Sequence, residues 1–219
     1  MGRMKIQNTP AIRRMPTYLH KLFAMKQEGY TYVSTTVLAQ YMNIEPIVVR
    51  KDIALTGISG LRRVGYEINE LIEYIKNFLG WQHTVNACLV GAGSLGSALL
   101  GYQDFESYGL NISSVFDQDA NKIGTSIHGH QVLDIYTAPR VLKSHPCEMA
   151  IICVSTRAAQ AVADMLVGLG IQNFWNFANV CLKVPPNVIV QREVIAGGFA
   201  TLSVKMKSVR NGERPAMEE

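Results

Sequence analysis

The sequence predicts an α/β protein in which an N-terminal winged helix-turn-helix domain precedes a Rossmann-type domain built on a parallel sheet. Three observations predict this fold class. An apolar strand runs directly into the loop Gly91-x-Gly93-x-x-Gly96, and an apolar helix follows the loop. Strands and helices then alternate, which is typical of a parallel sheet wrapped by helices. The segment before the loop is more than eighty residues long and begins with a strongly basic stretch.

The glycine loop has the pattern of a dinucleotide-binding fingerprint because it lies between a strand and a helix. Gly91 permits the tight turn, Gly93 allows the backbone to approach a pyrophosphate, and Gly96 allows the helix to pack on the strand. The helix N-terminus adds N–H donors and a positive dipole end for the phosphates. The alternative is a glycine turn in an α/β domain that binds no ligand.

An acidic residue follows the fingerprint at the expected place. Residues 111–116 predict a strand that ends at Asp117, 26 residues after Gly91. A carboxylate there accepts hydrogen bonds from ribose hydroxyls and repels a 2′-phosphate, which favours NAD(H) over NADP(H). Residues 150–154 and 173–177 predict two further strands, and residues 158–169 predict the clearest helix between them.

The composition is that of a globular chain. Of the 219 residues, 48% are hydrophobic and 17% are charged, which supplies enough apolar material for a buried core. No apolar run reaches the ~18–20 residues that a membrane span needs, and the N-terminus lacks the apolar segment of a signal peptide. The four cysteines form no C-x-x-C pair. We therefore expect a cytoplasmic protein with reduced, buried thiols, the alternative being a redox disulfide or a metal site.

The positive charge is concentrated in the first part of the chain. Residues 1–63 hold ten Lys or Arg and three acids, a net charge of +7, whereas the whole chain carries +4. Residues 64–219 therefore carry −3. A basic first module on a mildly acidic body indicates that the front of the chain meets a polyanion.

Three helices are predicted in this basic segment, over residues 12–27, 35–42 and 46–55. Ser34 is the predicted N-cap of the second helix, and Pro46 suits the first turn of the third. Asn43 supplies a left-handed turn between them, which Asn tolerates better than most residues. This spacing fits a DNA-binding helix-turn-helix whose third helix presents Arg50 and Lys51 to a groove. The alternative is an ordinary pair of packed helices with solvated charges.

A basic hairpin flanked by glycines follows the third helix. Residues 57–66 predict a wing whose Arg62 and Arg63 lie along phosphates or enter a minor groove. A solvated loop is the alternative. An amphipathic helix over residues 69–79 then completes the module, and residues 81–84 form a short linker.

These segments together resemble the Rex family of bacterial redox-sensing transcriptional repressors, over roughly residues 10–205. The order and spacing of the shared segments make the resemblance specific. The wing, residues 58–67, looks most like versions from Bacteroides-type bacteria. The segments that carry the resemblance are residues 12–18, 49–52, 63–66, 91–99, 116–119, 158–160 and 176–178.

The resemblance implies a homodimer that binds a palindromic operator in double-stranded DNA. NADH closes the dimer and releases the DNA, whereas NAD⁺ competes and favours the DNA-bound form. Both nucleotides are then sensed ligands and not redox substrates. The implied domains are residues 1–82 for DNA binding, 83–192 for NAD(H) binding, 193–207 for a C-terminal helix that swaps across the dimer, and 208–219 for a disordered tail.

The resemblance also assigns residues to these roles, none of them catalytic or metal-ligating. The implied cofactor-binding residues are Gly91, Ala92, Gly93, Ser94, Leu95, Gly96 and Asp117, with Val154, Ser155 and Asn176 nearer the nicotinamide. The implied DNA-binding residues are Arg13, Ser34, Thr35, Arg50, Lys51, Arg62, Arg63 and Tyr66.

The family's switch is where this chain departs from the resemblance. In the family, an Arg of the first DNA-binding helix, a Tyr after the glycine-loop helix and an Asp on the swapped helix exchange partners when NADH binds. Arg14 and Tyr102 match two of these positions, but Val194 stands at the third, with Glu193 beside it. Two prolines of the family are also replaced, around residues 155–156 and at residue 179. Residues 197 and 198 are glycines inside the implied swapped helix, at about 1 kcal/mol each of lost helix propensity.

Other function classes stay open at this point. A small NAD-dependent oxidoreductase would need a substrate domain and an acid–base group beside the nicotinamide, and only 102 residues follow Asp117. A regulator that binds NAD or CoA and no longer recognises DNA, or one with altered switching, is the other class. His128 and His130 suggest a metal site or a proton relay, but they fall in a predicted surface turn, and a solvated turn is the favoured interpretation.

Overall fold

The computed structural model describes residues 9–212. The chain divides into two compact units, the first running to His83 and including Gly212, the second spanning Thr84–Asn211. Each unit has its own set of fully buried apolar side chains. Within the described residues, no helix has the length and apolar character needed to cross a membrane.

The first unit is built from short helices and a two-stranded antiparallel sheet. Its helices are α1 (Thr9–Gln27), α2 (Thr35–Met42), α3 (Pro46–Ala54) and α4 (Ile68–Leu79), and its strands β1 (Tyr32–Val33) and β2 (Tyr66–Glu67) pair with each other. The helix predicted from residue 12 begins at Thr9, with Pro16 inside it. The other three helices match their predicted ranges to within one residue.

The turn between α2 and α3 has the predicted geometry. The Oγ of Ser34 accepts a hydrogen bond from the N–H of Val37 at 3.3 Å, which caps α2. Asn43 takes left-handed dihedral angles, φ 54° and ψ 42°, directly after α2. Pro46 is the first residue of α3. The local sequence therefore fixes how the chain leaves one helix and enters the next.

The predicted wing forms a small hairpin. The N–H of Leu61 donates to the carbonyl oxygen of Gly65 at 2.7 Å, and Arg63 in the turn has a φ of 64°. Gly65 has a φ of 110°, and a Cβ built there would lie 2.2 Å from the carbonyl oxygen of Val33. Glycine is therefore required where the hairpin passes against β1.

The second unit is a sheet with helices between its strands. The strands are β3 (Val85–Val90), β4 (Leu110–Asp117), β5 (Ser126–Ile127), β6 (His130–Asp134), β7 (Met149–Ile152), β8 (Asn173–Asn176) and β9 (Ile189–Arg192). The helices are α5 (Ser94–Leu100), α6 (Asp104–Ser107), α7 (Ala138–Ser144), α8 (Thr156–Gly168) and α9 (Ala196–Arg210). The strand order is β5-β6-β4-β3-β7-β8-β9, and every neighbouring pair is parallel except β5 with β6.

The direction of winding reverses beside β3. The chain passes from β3 to β4 and β6 on one side, and then crosses back to β7, β8 and β9 on the other. Side chains of β3 alternate between two apolar cores, with Cys88 and Val90 in one and Ala87 and Leu89 in the other. In open α/β sheets, ligands bind at such a reversal, outside the carboxyl ends of the strands.

The C-terminal helix differs from its implied range of residues 193–207. It begins at Ala196 and ends at Arg210. The expected disorder is therefore wrong for residues 208–210, because basic side chains at Lys207 and Arg210 stabilise the last turn of the helix. Residues 213–219 of the implied tail lie outside the described residues. Within this single chain α9 buries none of its side chains, and Phe199 is 71% exposed.

Candidate functional site

The glycine loop has the backbone geometry that its sequence predicts. Gly91 has a φ of 102°, and a Cβ there would lie 2.7 Å from the backbone of Cys153. A Cβ at Gly96 would lie 2.0 Å from the carbonyl oxygen of Gly91, so glycine is needed where α5 passes the strand end. A Cβ at Gly93 would meet no atom within 4 Å. The first and third glycines thus shape the turn, and the second leaves open space above it.

That space is a cavity of about 300 Å³ at the carboxyl ends of β3, β4 and β7. Its lining combines the glycine loop, the end of β4 and the start of α8. Five predicted cofactor-binding residues lie in it: Gly91, Gly93, Asp117, Val154 and Ser155. Gln118, Lys122, Ile135, Cys153, Ala158, Val162 and Val90 complete the lining. The cavity therefore sits where the sheet topology places a ligand.

Asp117 is held firmly at the edge of this cavity. Its Oδ2 accepts hydrogen bonds from the N–H of Ala92 at 2.8 Å and from Nζ of Lys122 at 3.2 Å. Its Oδ1 accepts from the N–H groups of Gln118 and Asp119 at 2.8 and 3.0 Å. Burial alone would raise the pKa of Asp117, but these donors outweigh it and lower the pKa below the ordinary value. The carboxylate is therefore ionised at neutral pH.

Lys122 is a cavity residue that the sequence did not single out. Its ammonium lies 3.2 Å from Asp117 and 3.9 Å from Asp119. A lysine five residues after the end of a strand is not part of a recognised sequence motif. Lys122 comes close to the Asp117 carboxylate only because the chain turns back after β4. Asp117 and Lys122 line the cavity with opposite charges, and Asp119 lies outside the lining. The preference for NAD(H) over NADP(H) stays a prediction.

Five of the predicted cofactor-binding residues do not line this cavity: Ala92, Ser94, Leu95, Gly96 and Asn176. Asn176 is fully buried at the end of β8, where its Nδ2 donates to the carbonyl oxygen of Val180 at 2.9 Å. Its Oδ1 accepts from the N–H of Ala178 at 3.0 Å. The structure thus places the Asn176 amide in the loop after β8 and not in the cavity, because both its polar groups are used there.

Tyr102, the predicted switch tyrosine, also lies outside this cavity. It is 48% exposed beside a second cavity of about 530 Å³ whose lining includes His128 and His130. Its ring packs edge-on against Phe105, with centroids 4.8 Å apart, and Phe105 packs against Trp175 at 5.8 Å. Desolvation and a hydrogen bond with Asp104 raise the pKa of Tyr102, so the phenol stays protonated and keeps its O–H donor.

Glu193, the residue before Val194, is hydrogen-bonded to β8 and to the strand beside it. The N–H of Glu193 donates to the carbonyl oxygen of Asn176 at 2.9 Å. Its Oε1 accepts from Nε1 of Trp175 at 3.3 Å and from Nε2 of Gln191 at 3.1 Å. Val194 is 43% exposed. The carboxylate nearest the family's switch position is therefore engaged with the sheet edge in this chain.

The charged residues among the predicted DNA-binding residues are all exposed. Arg13 on α1, Arg50 and Lys51 on α3, and Arg62 and Arg63 on the wing are all exposed. Three others are partly buried: Ser34 and Thr35 at the start of α2, and Tyr66 on β2. The first unit thus presents basic side chains from the helix-turn-helix and from the wing.

Arg14, the predicted switch arginine, is paired inside the first unit. Its Nε donates to Oδ2 of Asp52 at 2.7 Å and its Nη2 to Oδ1 at 2.9 Å. The hydroxyl of Tyr18 donates to the same Oδ2 at 2.7 Å. The hydrogen bond to Asp52 raises the pKa of Arg14. The pKa of Tyr18 is raised mainly by desolvation, and in second place by its hydrogen bond to Asp52. Asp52 is 3% exposed and its carboxylate joins α1 to α3.

The metal-ligating side chains and the thiols bear on the alternatives of a metal site or a redox disulfide. No group of three His, Cys, Asp or Glu within residues 9–212 is placed to hold a metal ion. The cysteines are free thiols, as expected, but only Cys88 is fully buried, and Cys181 is exposed. The expectation of buried thiols is therefore wrong for Cys181, which lies in the loop after β8 and contacts Nη1 of Arg192.

The fold and the two sites define a class of protein, a helix-turn-helix module joined in one chain to a dinucleotide-type cavity. The family descriptions that match it are "Putative DNA-binding protein N-terminus" over residues 9–54 and "CoA binding domain" over residues 82–180. The redox-sensing transcriptional repressor Rex of Treponema denticola is 41% identical over 208 residues, which cover 95% of this chain and 99% of the relative. The Rex repressor of Bacteroides thetaiotaomicron is 34% identical and covers 88% of each chain.

This chain belongs to the Rex family of redox-sensing transcriptional repressors. Solved structures of a Rex-family repressor, RSP, have the same two-part fold at 29% identity. RSP in complex with β-NAD⁺ and operator DNA superposes with a TM-score of 0.81, covering 94% of this chain and 95% of RSP. RSP in complex with β-NADH gives a TM-score of 0.79, and the match covers 94% of this chain and 97% of RSP. The predicted family and fold class are thus confirmed.

Proposed function

We propose that this chain is a transcriptional repressor that binds a palindromic operator and leaves it when NADH binds. The observation that carries the proposal is the match over nearly the whole chain to RSP, which was solved with β-NAD⁺ and operator DNA and separately with β-NADH. Because the match covers both units, we infer that this chain uses its two units as RSP does. NADH and NAD⁺ are sensed ligands in this proposal.

The nucleotide is assigned to the 300 Å³ cavity of the second unit. Asp117 accepts the ribose hydroxyls, since its carboxylate is ionised and lies at the end of β4. The open space above Gly93 admits the pyrophosphate. Val154 and Ser155, on the far side of the glycine loop, face the nicotinamide half. The split of the chain after His83 supports assigning DNA binding to residues 1–82 and nucleotide binding to residues 83–192.

DNA is assigned to the basic surface of the first unit. Arg50 and Lys51 enter the major groove, and the wing arginines contact the backbone or the minor groove. Arg13, Ser34, Thr35 and Tyr66 support the contact from α1, α2 and β2. Counterion release from the contacted phosphates makes the affinity fall steeply with salt. Because the proposed operator lies in chromosomal DNA, we propose that the protein acts in the cytoplasm.

The homodimer is assigned to the C-terminal helix. α9 exposes apolar side chains that include Phe199, Leu202 and Val204, and it buries none of them within one chain. Apolar surface of this kind is stabilised when a second copy covers it. A dimer also matches the two-fold symmetry of a palindromic operator.

Altered switching is a second candidate function, and one observation favours it. Val194 has no charge to exchange, and the neighbouring Glu193 carboxylate is already bonded to Trp175 and Gln191. A chain of this kind binds DNA and NAD(H) but responds to NADH over a different range. The coupling between the two ligands is then weaker than in relatives that carry the acid.

A gel-shift experiment with the full chain tests the proposed function. DNA duplexes are first selected by the protein from a random pool, and the best palindromic site is then bound at fixed total nucleotide. The proposal expects the shifted band to disappear as NADH replaces NAD⁺. Selection of no sequence, or consumption of NADH with a keto acid or of NAD⁺ with a hydroxy acid, would contradict it.

A further inference from the structure

The exposed face of α3 mixes basic and apolar side chains. Arg50, Lys51 and Ala54 are exposed, and so is Ile47, at 46%. Residues at i, i+3, i+4 and i+7 lie on one face of a helix, so these four form a single stripe. Ile47 belongs to the first turn of α3, directly after Pro46.

The rotation of α3 about its axis is fixed by its opposite face. Val49 and Ile53 are fully buried there, and the Asp52 carboxylate accepts two hydrogen bonds from Arg14 and one from Tyr18. The helix therefore cannot turn Ile47 away without breaking these contacts. Any groove that receives Arg50 and Lys51 also receives Ile47.

The side chain of Ile47 limits what it can contact in that groove. Isoleucine has no hydrogen-bonding group, and its branched Cβ keeps the side chain close to one rotamer. The base edges of the major groove carry donors and acceptors, and one apolar group, the C5 methyl of thymine. Placing Ile47 against a donor or acceptor would remove water from it without replacing the hydrogen bond, which is unfavourable.

From this we infer that Ile47 is a specificity-determining residue that contacts a thymine methyl in each operator half-site. The inference rests on the proposed function, because it needs α3 to enter a major groove. Single exposed apolar residues are common on protein surfaces. What distinguishes Ile47 is its place between Pro46 and the two basic residues, in the first turn of the recognition helix, where base contacts concentrate.

The test removes one methyl group at a time from the DNA. A duplex selected by the full chain is remade with deoxyuridine in place of each thymine in turn, and binding is measured by fluorescence anisotropy. For the unchanged protein, each half-site contains one thymine whose replacement, made singly, lowers affinity about fourfold. This is the factor expected from one buried methyl group. For Ile47→Ala the same replacement has a much smaller effect, because the shortened side chain no longer reaches the thymine methyl group.

Two controls separate this outcome from a loss of fold. Ile189→Ala makes the same change at a 58% exposed position on β9 in the second unit, and it keeps the unchanged protein's response to deoxyuridine. Ile47→Ala retains the NADH affinity of the unchanged protein. Equal binding to thymine and deoxyuridine duplexes, or an equal loss for Ile47→Ala, overturns the inference and leaves the proposed function intact. Failure of the unchanged protein to select any DNA overturns both.

Discussion

The guanidinium of Arg14 and the carboxylate of Asp52 form a two-bond ion pair, with Nε–Oδ2 at 2.7 Å and Nη2–Oδ1 at 2.9 Å. The pair joins α1 to the third helix of the helix-turn-helix across 38 residues of sequence. Asp52 directly follows Lys51, so the contact that holds the helix from behind is one residue away from a predicted DNA contact. Asp52, which anchors α3 to α1, and Lys51, which is predicted to contact DNA, are therefore neighbours in the sequence.

Asp52→Asn tests that support. The amide cannot accept both guanidinium bonds and the Tyr18 hydroxyl bond as a carboxylate does, so we expect the first unit to lose about 1–3 kcal/mol of unfolding free energy. Urea unfolding followed by circular dichroism measures the loss. Glu73→Gln, an exposed acid on α4, is the matched control and should change the unfolding free energy by less than about 0.5 kcal/mol. An equal midpoint for the two variants would show that the pair does not stabilise the unit.

Gly93→Val and Gly96→Ala should separate nucleotide binding from folding. Open space lies above Gly93, so valine there leaves the fold intact but fills the room for the pyrophosphate, and NADH affinity should fall at least about tenfold. A Cβ at Gly96 would lie 2.0 Å from the carbonyl oxygen of Gly91, so Gly96→Ala should lower the melting temperature instead. NADH fluorescence titration and thermal melting measure the two effects. Normal NADH binding by Gly93→Val would place the cofactor elsewhere.

Asp117→Asn should change the pH dependence of stability. The pKa of Asp117 is lowered in the folded chain, so its ionised form contributes stability above the unfolded value of about 4, and this contribution is lost as pH falls through the folded value. The difference in melting temperature between the unchanged protein and Asp117→Asn should therefore be largest near neutral pH and shrink below about pH 4. Glu106→Gln, an exposed acid on α6, should show no such difference. A melting-temperature difference that stays constant with pH would contradict the lowered pKa of Asp117.

Tyr102→Phe tests the switch tyrosine. The ring contact with Phe105 at 4.8 Å survives this change, whereas the O–H donor is lost. Because the raised pKa keeps the phenol protonated, its hydroxyl is available as a hydrogen-bond donor at neutral pH. We expect nucleotide affinity to stay within about twofold and the effect of NADH on operator release to weaken. Release by the variant at the same NADH concentration as the unchanged protein would refute the role.

Local sequence patterns predicted most of the fold. The helix-turn-helix spans, the Asn43 turn, the glycine loop and Asp117 at the end of β4 depend on residues that are close together in sequence, so their geometry could be predicted without a structure. The strands predicted over residues 111–117, 150–154 and 173–177 are present to within two residues at each end. Short strands such as β5 and β9 were missed because their few residues carry no periodic pattern.

Contacts between distant segments could not be predicted in this way. No role was predicted for Asp52, although its spacing of three from the buried Val49 puts it on the inner face of α3. Lys122 reaches the cavity only through the turn after β4. Asn176 was predicted to face the cofactor, but the loop after β8 uses both its polar groups. Each of these depends on which segments the fold brings together.

The proposed function requires that nucleotide binding in the second unit is coupled to DNA release from the first unit of the same chain. Thermodynamic linkage makes this claim measurable, because a ligand that weakens a second one must be weakened by it to the same extent. NADH affinity should therefore be measured with and without saturating operator duplex, and operator affinity with and without saturating NADH. We expect the two factors to be equal and well above one, and Lys51→Ala to bind NADH with unchanged affinity whether or not the duplex is present. An NADH affinity that is the same for the free and the operator-bound protein would contradict it.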